Sequence, residues 1–411
     1  IIAGNTVSGS GRRGMFLSDC RRFVLSDNAF VSDGIFITGD DVSHYLHQID
    51  TSNTVNGRPV YYLRDQNDLE VDGSPYGQVI LVNRTRVTVR DGVFVRATVG
   101  VELAMSNNCT VTDCDASYTN EFGVCLHWLH NNTISGNTVE NSECGIFLMM
   151  SSDNTVVNNT FRNSSFCGTY SGGSSRNVFA NNTVALNYAG TILDYCENET
   201  LTGNTLIGNG IFVNGEELRY YSLQIDESNL LDGKKIGYLY NLHDIHIDGS
   251  QYGQVILVNS TGVTVTDGVF LNCGVQFEFC SDCVLANSTI WRSPVAGVEV
   301  KYSTNCTLSD NIITWTDPRL EELWGFGVYL YFTSESTLAN NVIMYNTGLG
   351  GLRVQVRQQH IAEQCCFLKS WRRRHPLHGL EQYLRFQHSL FEQGRIRHWR
   401  LMERLLPQCC G

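Results

Sequence analysis

The sequence has little proline, few charged residues and no long apolar run. Of its 411 residues only 6 are proline and 17% are charged. No apolar stretch approaches the ~20 residues of a transmembrane helix, so we expect no membrane-spanning segment. The periodicity of an ordinary helix is also missing, which excludes a helical domain. The formal net charge of −12 gives no support to a nucleic-acid partner.

What the sequence has instead is a repeat of 22–23 residues, opened by Gly123, Gly145, Gly168 and Gly190. Each unit holds short β-branched runs separated by Gly, Asn and Ser, which is typical of a coil of three short strands. Coils stacked in parallel, about 4.8 Å apart, bury a continuous apolar column. The sequence therefore predicts an all-β fold, a right-handed parallel β-helix. Asn at its corners is expected to form amide ladders and left-handed turns.

A larger duplication overlies this repeat. Residues 34–94 align without a gap to residues 210–270, with about half of the positions identical. In each copy a segment rich in Tyr and Asp, 40–72 or 216–248, interrupts the regular period. We interpret these segments as matched excursions within one β-helix domain of residues 1–350.

The first copy carries a family resemblance. Its segments 49–63 and 77–83 read IDTSNTVNGRPVYYL and GQVILVN, and they resemble NosD-type β-helix proteins. These belong to the wider group of carbohydrate-binding and sugar-hydrolase (CASH) β-helix domains, common in exported proteins of methanogenic archaea. The resemblance extends to about residue 350 and implies the fold. It implies no site residue, because no catalytic or copper-binding motif of the family matches residue by residue.

Residues 351–411 differ in composition from the rest. From Arg353 onward there is no Asn, Asp or Thr, whereas ten Arg, five His and two Cys-Cys pairs occur. Either a basic tail binds the acidic body, or the segment results from a frameshift. Codons can be chosen for residues 358–366 and 371–382 so that the adjacent reading frame encodes Asn- and Gly-rich sequences typical of the β-helix repeats. We therefore predict a frameshift and assign the Cys, His and Arg of this tail no function.

Functional side chains of a β-helix are expected on the outer face of its coils. In strands that follow the repeat Gly, apolar residues such as Val124 and Leu126 point inward, so the residues between them must face solvent. This outer column is rich in rings and acids, which suit carbohydrate. We predict sugar contacts for Phe147, Tyr170, Asp194, Phe212, Tyr329 and Tyr331. The alternative is that stacked rings simply stabilise neighbouring strands.

Glu278, Glu299 and Lys301 form the densest polar group of the column and are the candidates for catalysis. Neighbouring coils place the two carboxylates about 8 Å apart, within the range of an inverting glycosidase. Lys301 is expected directly beside Glu278. The alternative to an acid–base pair is a surface ion pair.

Calcium is the one candidate cofactor. Its ligands are expected among the acids that begin the two excursions, Asp40, Asp41, Glu216 and Glu217, with solvated loop acids as the alternative. His44 and His47 are three residues apart and lie on opposite faces if the segment is a strand, so they are not expected to share an ion. Copper is not expected either, because only Met149 of the Met149-Met150 pair points outward.

The cysteine content does not indicate whether the protein resides in an oxidising or a reducing compartment. Eleven Cys precede the tail. Cys144 and Cys167 each come directly before a repeat Gly and should stack on adjacent coils. A disulfide and a reduced ladder both fit this arrangement.

Evidence for export is indirect. The chain begins inside a repeat at Asn5, so we expect its natural start to lie upstream, and the missing signal peptide says nothing about export. Ten Asn-x-Ser/Thr triplets, including Asn83, Asn131 and Asn259, are compatible with an exported glycoprotein. Asn corners followed by Thr-rich strands produce the same triplets without any glycan.

Three functional classes remain. The first is a non-catalytic β-helix that binds polysaccharide or a surface glycan, or serves as an adhesion scaffold. The second is a polysaccharide hydrolase or lyase that uses Glu278 and Glu299. The third, implied only by the family resemblance, is a copper-handling accessory protein. We favour the first, in an extracellular, cell-surface or periplasmic location, and exposed coil ends also predict end-to-end self-association.

Overall fold

The computed structural model describes residues 1–64, 66–316, 325–346, 350–355 and 366–368. The described part of the chain is all-β, a parallel β-solenoid of about 16 turns with 53% of the described residues in strands. The helical elements in the described part are three 3-10 turns, at Val42–His44, Leu218–Tyr221 and Gly249–Gln251. No described helix is long and apolar enough to cross a membrane. The predicted parallel β-helix is confirmed.

The coils form three consecutive sets. We call residues 1–56 the N-terminal coils, residues 58–231 the central coils, and the described residues from 234 onward the C-terminal coils. Two hairpins separate the sets, and they contain the two antiparallel strand pairings of the described residues. At each hairpin a sheet of short strands in one set continues as the sheet of long strands in the next set.

Each set contains three sheets. The strands of the N-terminal coils are Ile2–Ala3, Thr6–Ser8, Met15–Ser18, Val24–Ser26, Ala29–Val31, Ile35–Thr38, Gln48–Ile49 and Thr54–Val55. The long strands of the central coils are Arg58–Leu63, Gln78–Val82, Val99–Ala104, Phe122–His127, Cys144–Met149, Cys167–Gly172, Ala189–Asp194 and Ile211–Asn214. Their short strands are Leu69–Asp72, Val87–Arg90, Thr110–Thr112, Thr133–Ser135, Thr138–Glu140, Thr155–Val157, Thr160–Arg162, Val178–Ala180, Thr183–Ala185, Thr200–Thr202, Thr205–Ile207, Gln224–Ile225 and Leu230–Leu231.

The C-terminal coils repeat the pattern. Their long strands are Lys234–Tyr240, Tyr252–Val258, Val275–Glu278, Ala296–Lys301, Phe326–Tyr331 and Gly350–Gln355. Their short strands are His246–Asp248, Thr264–Thr266, Val269–Leu271, Val284–Ala286, Thr289–Trp291, Thr307–Ser309, Ile312–Thr314, Thr337–Ala339, Val342–Met344 and Cys366–Leu368. The predicted frameshifted tail therefore contributes strand residues at 351–355 and 366–368, and the rest of it lies outside the described residues.

The interior is the stack of inward side chains that the repeat predicts. Val124 and Leu126 are fully buried. At one corner Asn132, Asn154 and Asn177 form an amide ladder, in which each side-chain Nδ2 donates to the next Oδ1 at 3.0 and 2.9 Å. The predicted Asn ladder is confirmed.

The left-handed residue of a corner is the one that precedes the ladder residue. Asn131 has φ 59° and is exposed, Asn132 is buried, and Thr133 begins the next strand. The Asn of every Asn-x-Ser/Thr triplet has a positive φ, a conformation that Asn tolerates better than most residues: Asn83, Asn108, Asn131, Asn158, Asn163, Asn181, Asn198, Asn259, Asn287 and Asn305. Corner geometry alone therefore accounts for the triplets.

The duplicated segments build the junctions between the sets, and we call 34–94 the first junction and 210–270 the second junction. In the first, Gln78 accepts from Ile35 N at 3.0 Å and donates to Ile35 O at 2.6 Å. Gln254 binds Ile211 in the same way, at 2.8 and 2.6 Å. Each glutamine thereby holds the last long strand of one set against the outer face of the next long sheet.

Candidate functional site

The outer column of the C-terminal coils is buried, so the expectation that it faces solvent is wrong here. Glu278 is 0% exposed, Glu299 4% and Lys301 3%. The reason is the second junction, whose strand Ile211–Asn214 lies over this face. Gln276 accepts from the backbone N of Val213 at 3.1 Å and donates to its carbonyl at 2.8 Å.

Lys301 is the centre of this buried group. Its Nζ lies 3.0 Å from Glu299 Oε1 and 3.7 Å from Glu278 Oε1, and it donates to Asn214 Oδ1 at 3.0 Å. Strand register confirms the predicted position of Lys301 beside Glu278. Burial lowers the pKa of Lys301, but the two carboxylates outweigh it and raise that pKa. The ion pair is therefore a buried one rather than the surface pair considered from the sequence.

The surroundings of Glu278 do not favour catalysis. Burial raises the pKa of Glu278 well above its usual range, against the opposing effect of Lys301. The cavity bordered by Glu299 has a volume of about 20 Å³, which is room for a single water molecule and not for a sugar. Catalysis by Glu278, Glu299 and Lys301 stays a prediction to which this geometry gives no support.

Phe147 and Tyr170 belong to a continuous stack of rings on the central coils. The ring centroids of Phe122 and Phe147 are 4.5 Å apart with an interplanar angle of 16°, and those of Phe147 and Tyr170 are 4.8 Å apart at 10°. Both faces of Phe147 are covered by its neighbours, so a sugar ring has no face of Phe147 on which to stack. The geometry favours the alternative, in which the rings stabilise adjacent strands.

Hydrogen bonds connect this stack to the buried charges. Tyr170 Oη donates to Asp194 Oδ2 at 2.9 Å, and Asn214 Nδ2 donates to Asp194 Oδ1 at 2.7 Å. The same Asn214 accepts from Lys301, whose Nζ lies 5.9 Å from the ring centroid of Phe212. The second junction thus brings together residues that the sequence places on different coils.

Tyr329 and Tyr331 continue the column beyond Lys301. Tyr329 is only 5% exposed, which corrects the expectation that it faces solvent, and Tyr331 is half-buried. Their ring centroids are 5.6 Å apart, and the Arg353 guanidinium lies 5.4 Å from the Tyr329 ring. Neither tyrosine presents a wholly free surface.

Sequence reasoning missed an open polar groove between the N-terminal coils and the central coils. It has a volume of about 500 Å³. Four residues on successive coils line it, Arg96, Tyr118, Asn141 and Asn163, with φ of 57°, 58°, 55° and 53°. The Tyr118 side is open, since this residue is 54% exposed. The 22–23 residue spacing of these four corner residues is the signal from which a sequence analysis could have found the groove.

Charged contacts fix one wall of the groove. Arg12 and Arg13 reach Glu121 Oε1 at 2.7 and 2.5 Å, and Arg12 also reaches Glu143, a lining residue, at 2.5 Å. Burial raises the pKa of Glu121, and the arginines oppose this shift. Asn120, another lining residue, donates to the Ser32 carbonyl at 2.9 Å. These contacts join the N-terminal coils to the central coils beside the groove.

Of the four acids predicted to hold calcium, one joins a group of metal-ligating side chains. Among the described residues that group is Asp19, Asp40 and His44, whose ligand atoms lie within 4.8 Å of one another. His44 ends a 3-10 turn, so the strand geometry assumed from the sequence does not apply to it. His47 is outside the group, and its Nδ1 accepts from Phe23 N at 3.2 Å.

The other three acids are engaged in local contacts. Asp41 accepts from Ser43 N at 2.9 Å and caps the first 3-10 turn. Glu217 lies 3.1 Å from Arg219. Glu216 adds to the effect of burial in raising the pKa of Tyr195. The predicted calcium site stays untested.

Soft ligands of the kind that copper takes lie next to one another on the central coils. Cys125 Sγ and His127 Nε2 are 2.9 Å apart on the outer face of the central coils, and Met149 is the strand neighbour of His127. Burial raises the pKa of Cys125 well above its usual range, which opposes the thiolate that copper requires, and lowers the pKa of His127 to about 4. Among the described residues, the one group of three ligands contains two carboxylates and no sulfur. The expectation that copper is not bound stays a prediction.

Cys144 and Cys167 stack as predicted. They are strand neighbours on adjacent coils, with their Sγ atoms 2.9 Å apart. Both are free thiols in the structure. The reduced ladder is therefore the form described here.

The stacked coils and covered junctions define a protein of the parallel β-helix class. The sequence profile of the family described as "Periplasmic copper-binding protein (NosD)" matches residues 49–216 and 208–367. These matches span well over half of the chain, which therefore belongs to the NosD family. No curated protein matches the sequence.

Solved structures with similar architecture include enzymes and an adhesin. DFA-IIIase from Arthrobacter chlorophenolicus A6 in complex with GF2 is 12% identical over 73% of this chain and 82% of that chain, with a TM-score of 0.31. PfbA, a surface adhesin of Streptococcus pneumoniae, is 12% identical over 82% and 83%, with a TM-score of 0.30. A mutant of the periplasmic alginate epimerase AlgG is 11% identical over 86% and 76%, with a TM-score of 0.26. Similarity at this level carries no information about activity.

Proposed function

We propose that this protein is an exported or cell-surface β-helix that binds a polysaccharide or surface glycan without cleaving it. The open polar groove is the observation that carries the proposal. It presents amides, hydroxyls, a guanidinium and a carboxylate beside the exposed ring of Tyr118. Such a surface bonds sugar hydroxyls and packs one ring against a sugar face.

A non-catalytic role agrees with the placement of the acids. Glycosidases need two carboxyl groups on either side of the scissile bond. The described lining of the groove contains one carboxylate, Glu143, which is paired with Arg12. The outer-face acids Glu278 and Glu299 are buried around Lys301. Membership of a family described as periplasmic supports export.

The test is retention of the full chain on a panel of immobilised polysaccharides, together with measurement of new reducing or unsaturated chain ends. We expect retention on at least one polymer and no new ends. New ends would replace the proposal with the alternative of a hydrolase or lyase. If the chain is retained on none of the polymers, the proposal of glycan binding is wrong and a structural role remains.

Tyr118→Asn identifies the groove as the binding surface. Asn tolerates the left-handed conformation of this corner, so the change removes the ring without adding backbone strain. We expect binding to weaken about tenfold, the size of one aromatic contact. The matched control is Tyr345→Asn, since Tyr345 is also an exposed left-handed corner residue and lies outside the groove lining. Equal loss in both variants would argue against the groove.

A further inference from the structure

Asp19, Asp40 and His44 converge beside the first junction. Asp19 directly follows strand Met15–Ser18, and Asp40 and His44 follow the neighbouring strand Ile35–Thr38. His44 Nδ1 is 3.5 Å from Asp19 Oδ1 and 3.3 Å from Asp40 Oδ1. Three potential ligand atoms from two coils thus face one point.

The imidazole is the buried member of the group. His44 is 8% exposed, and its Nδ1 is a buried nitrogen without a hydrogen-bond partner. A side chain on residue 39 would place its Cβ 2.4 Å from His44 Cβ, so Gly39 makes room for the ring. The unpartnered nitrogen is aimed between two carboxylates that are themselves open to solvent, with side-chain exposures of 65% for Asp19 and 77% for Asp40.

The separations match those between the ligands of a metal ion. Zn²⁺ binds imidazole nitrogen at about 2.0–2.1 Å and carboxylate oxygen at about 2.0–2.2 Å, so two ligands of a tetrahedral site lie about 3.3–3.5 Å apart. We propose that His44 Nδ1, Asp19 and Asp40 bind one divalent transition-metal ion of the Zn²⁺ type. Solvent supplies the fourth ligand on the exposed carboxylate side. The ion joins two adjacent coils of the N-terminal set and is independent of glycan binding.

The Arg21 side chain competes with the metal ion, because its contact with His44 favours the tautomer that carries the proton on Nδ1. Its guanidinium lies 3.2 Å from His44 Nε2. Arginine only donates, so in this contact Nε2 accepts and Nδ1 carries the proton. Binding of the metal at Nδ1 moves that proton to Nε2 and displaces the exposed Arg21 side chain. Arg21→Gln, whose amide oxygen accepts from Nε2–H, is therefore expected to raise the affinity about tenfold.

The second junction supplies an internal control. The positions equivalent to Asp19, Asp40 and His44 hold Tyr195, Glu216 and Tyr220. The rings of Tyr195 and Tyr220 pack edge to face, with centroids 5.2 Å apart. A tyrosine in place of His44 is thus compatible with this fold. His44→Tyr copies the second junction and removes the metal ligand.

The experiment is equilibrium dialysis of the full chain against Zn²⁺, compared with the same chain carrying His44→Tyr or Asp40→Asn. We expect each variant to bind one Zn²⁺ fewer per chain, through a loss of affinity of about a hundredfold or more. Cysteine and histidine elsewhere contribute the same background to every protein. Asp40→Asn changes an exposed side chain, so it keeps the test valid if His44→Tyr does not fold.

Two further measurements sharpen the result. Zn²⁺ is expected to raise the Tm of the wild-type chain more than that of either variant, because an ion that binds only the folded state stabilises it. A tenfold excess of Ca²⁺ is expected not to displace Zn²⁺, since Ca²⁺ takes oxygen ligands. Glu216→Gln in the second junction is the control and leaves the stoichiometry unchanged. Equal Zn²⁺ binding by wild type, His44→Tyr and Asp40→Asn would overturn the proposal.

Discussion

The two junctions have the same framework and different chemistry on the face that they cover. In both, a buried tyrosine donates to a glycine carbonyl, Tyr45 to Gly39 at 3.0 Å and Tyr221 to Gly215 at 3.2 Å. In both, a glutamine holds the backbone of the covering strand. The shared contacts are those that position one set of coils on the next.

The covered face itself has diverged. Strand register places Cys125 and His127, beneath the covering strand of the first junction, at the positions that Glu299 and Lys301 occupy beneath that of the second. Cys125 and His127 lie 2.9 Å apart as a neutral pair, whereas Glu299 and Lys301 lie 3.0 Å apart as an ion pair. One fold therefore accommodates either kind of pair in the same place. The glutamine and tyrosine contacts position the covering strand in both junctions. The pair of side chains beneath that strand differs between them.

Loss of the Lys301 charge is the largest expected effect. Lys301→Met leaves Glu299 buried without a cation, which we expect to lower the free energy of unfolding by about 3–5 kcal/mol. Denaturant unfolding measures it. The double variant Glu299→Cys with Lys301→His transplants the neutral pair of the first junction and is expected to recover most of the loss. A Lys301→Met protein as stable as wild type would mean that the ion pair contributes nothing to this junction.

The sequence predicted the coil and missed the junction. The 22–23 residue period fixes which residues are stacked, so the Asn132 ladder, the Cys144–Cys167 contact and the position of Lys301 beside Glu278 all followed from it. Which outward residues are covered depends on contacts between residues far apart in the chain. Gln276 accepts a hydrogen bond from Val213 N, which is 63 residues away in the chain. The repeat period does not predict such a contact.

The groove and the Asp19–His44 group were missed for related reasons. The groove forms between two sets of coils. Its lining combines Ser32 of the N-terminal coils with Tyr118 and Asn163 of the central coils. His44 was judged by the alternation of a strand, but it ends a 3-10 turn whose N-terminus is capped by Asp41. Local pattern reasoning fails at an excursion from the coil because the backbone there no longer has the period of the repeat.

The second-largest expected effect is a difference between the two junctions in how stability depends on pH. Glu102 and Gln276 are equivalent, and each accepts from the covering strand, at Ile37 N and Val213 N. Burial raises the pKa of Glu102 well above its usual range. The folded protein therefore keeps a proton on Glu102 that the unfolded chain releases near its ordinary pKa, so stability falls as pH rises between the two values.

Glu102→Gln copies the second junction and removes this dependence. We expect the stability of the variant to fall less steeply than that of wild type as the pH rises above the ordinary pKa of a glutamate, by up to about 1.4 kcal/mol per pH unit. Urea unfolding at each pH provides the comparison. Glu199, whose pKa burial raises to about 8, gives both proteins the same further slope. Parallel curves for wild type and Glu102→Gln would show that Glu102 is ionised in the folded state.

The smallest expected effect tests whether the two glutamines are equivalent. Gln78→Met and Gln254→Met remove both the acceptor for the backbone N–H of Ile35 or Ile211 and the donor to its carbonyl. A buried carbonyl without a donor costs about 1–3 kcal/mol, which denaturant unfolding detects. Gln254 also donates to Gly274 O at 3.1 Å, so its variant should lose more than that of Gln78. If Gln78→Met proves neutral while Gln254→Met destabilises, the glutamine contact stabilises the second junction alone and is not a shared framework.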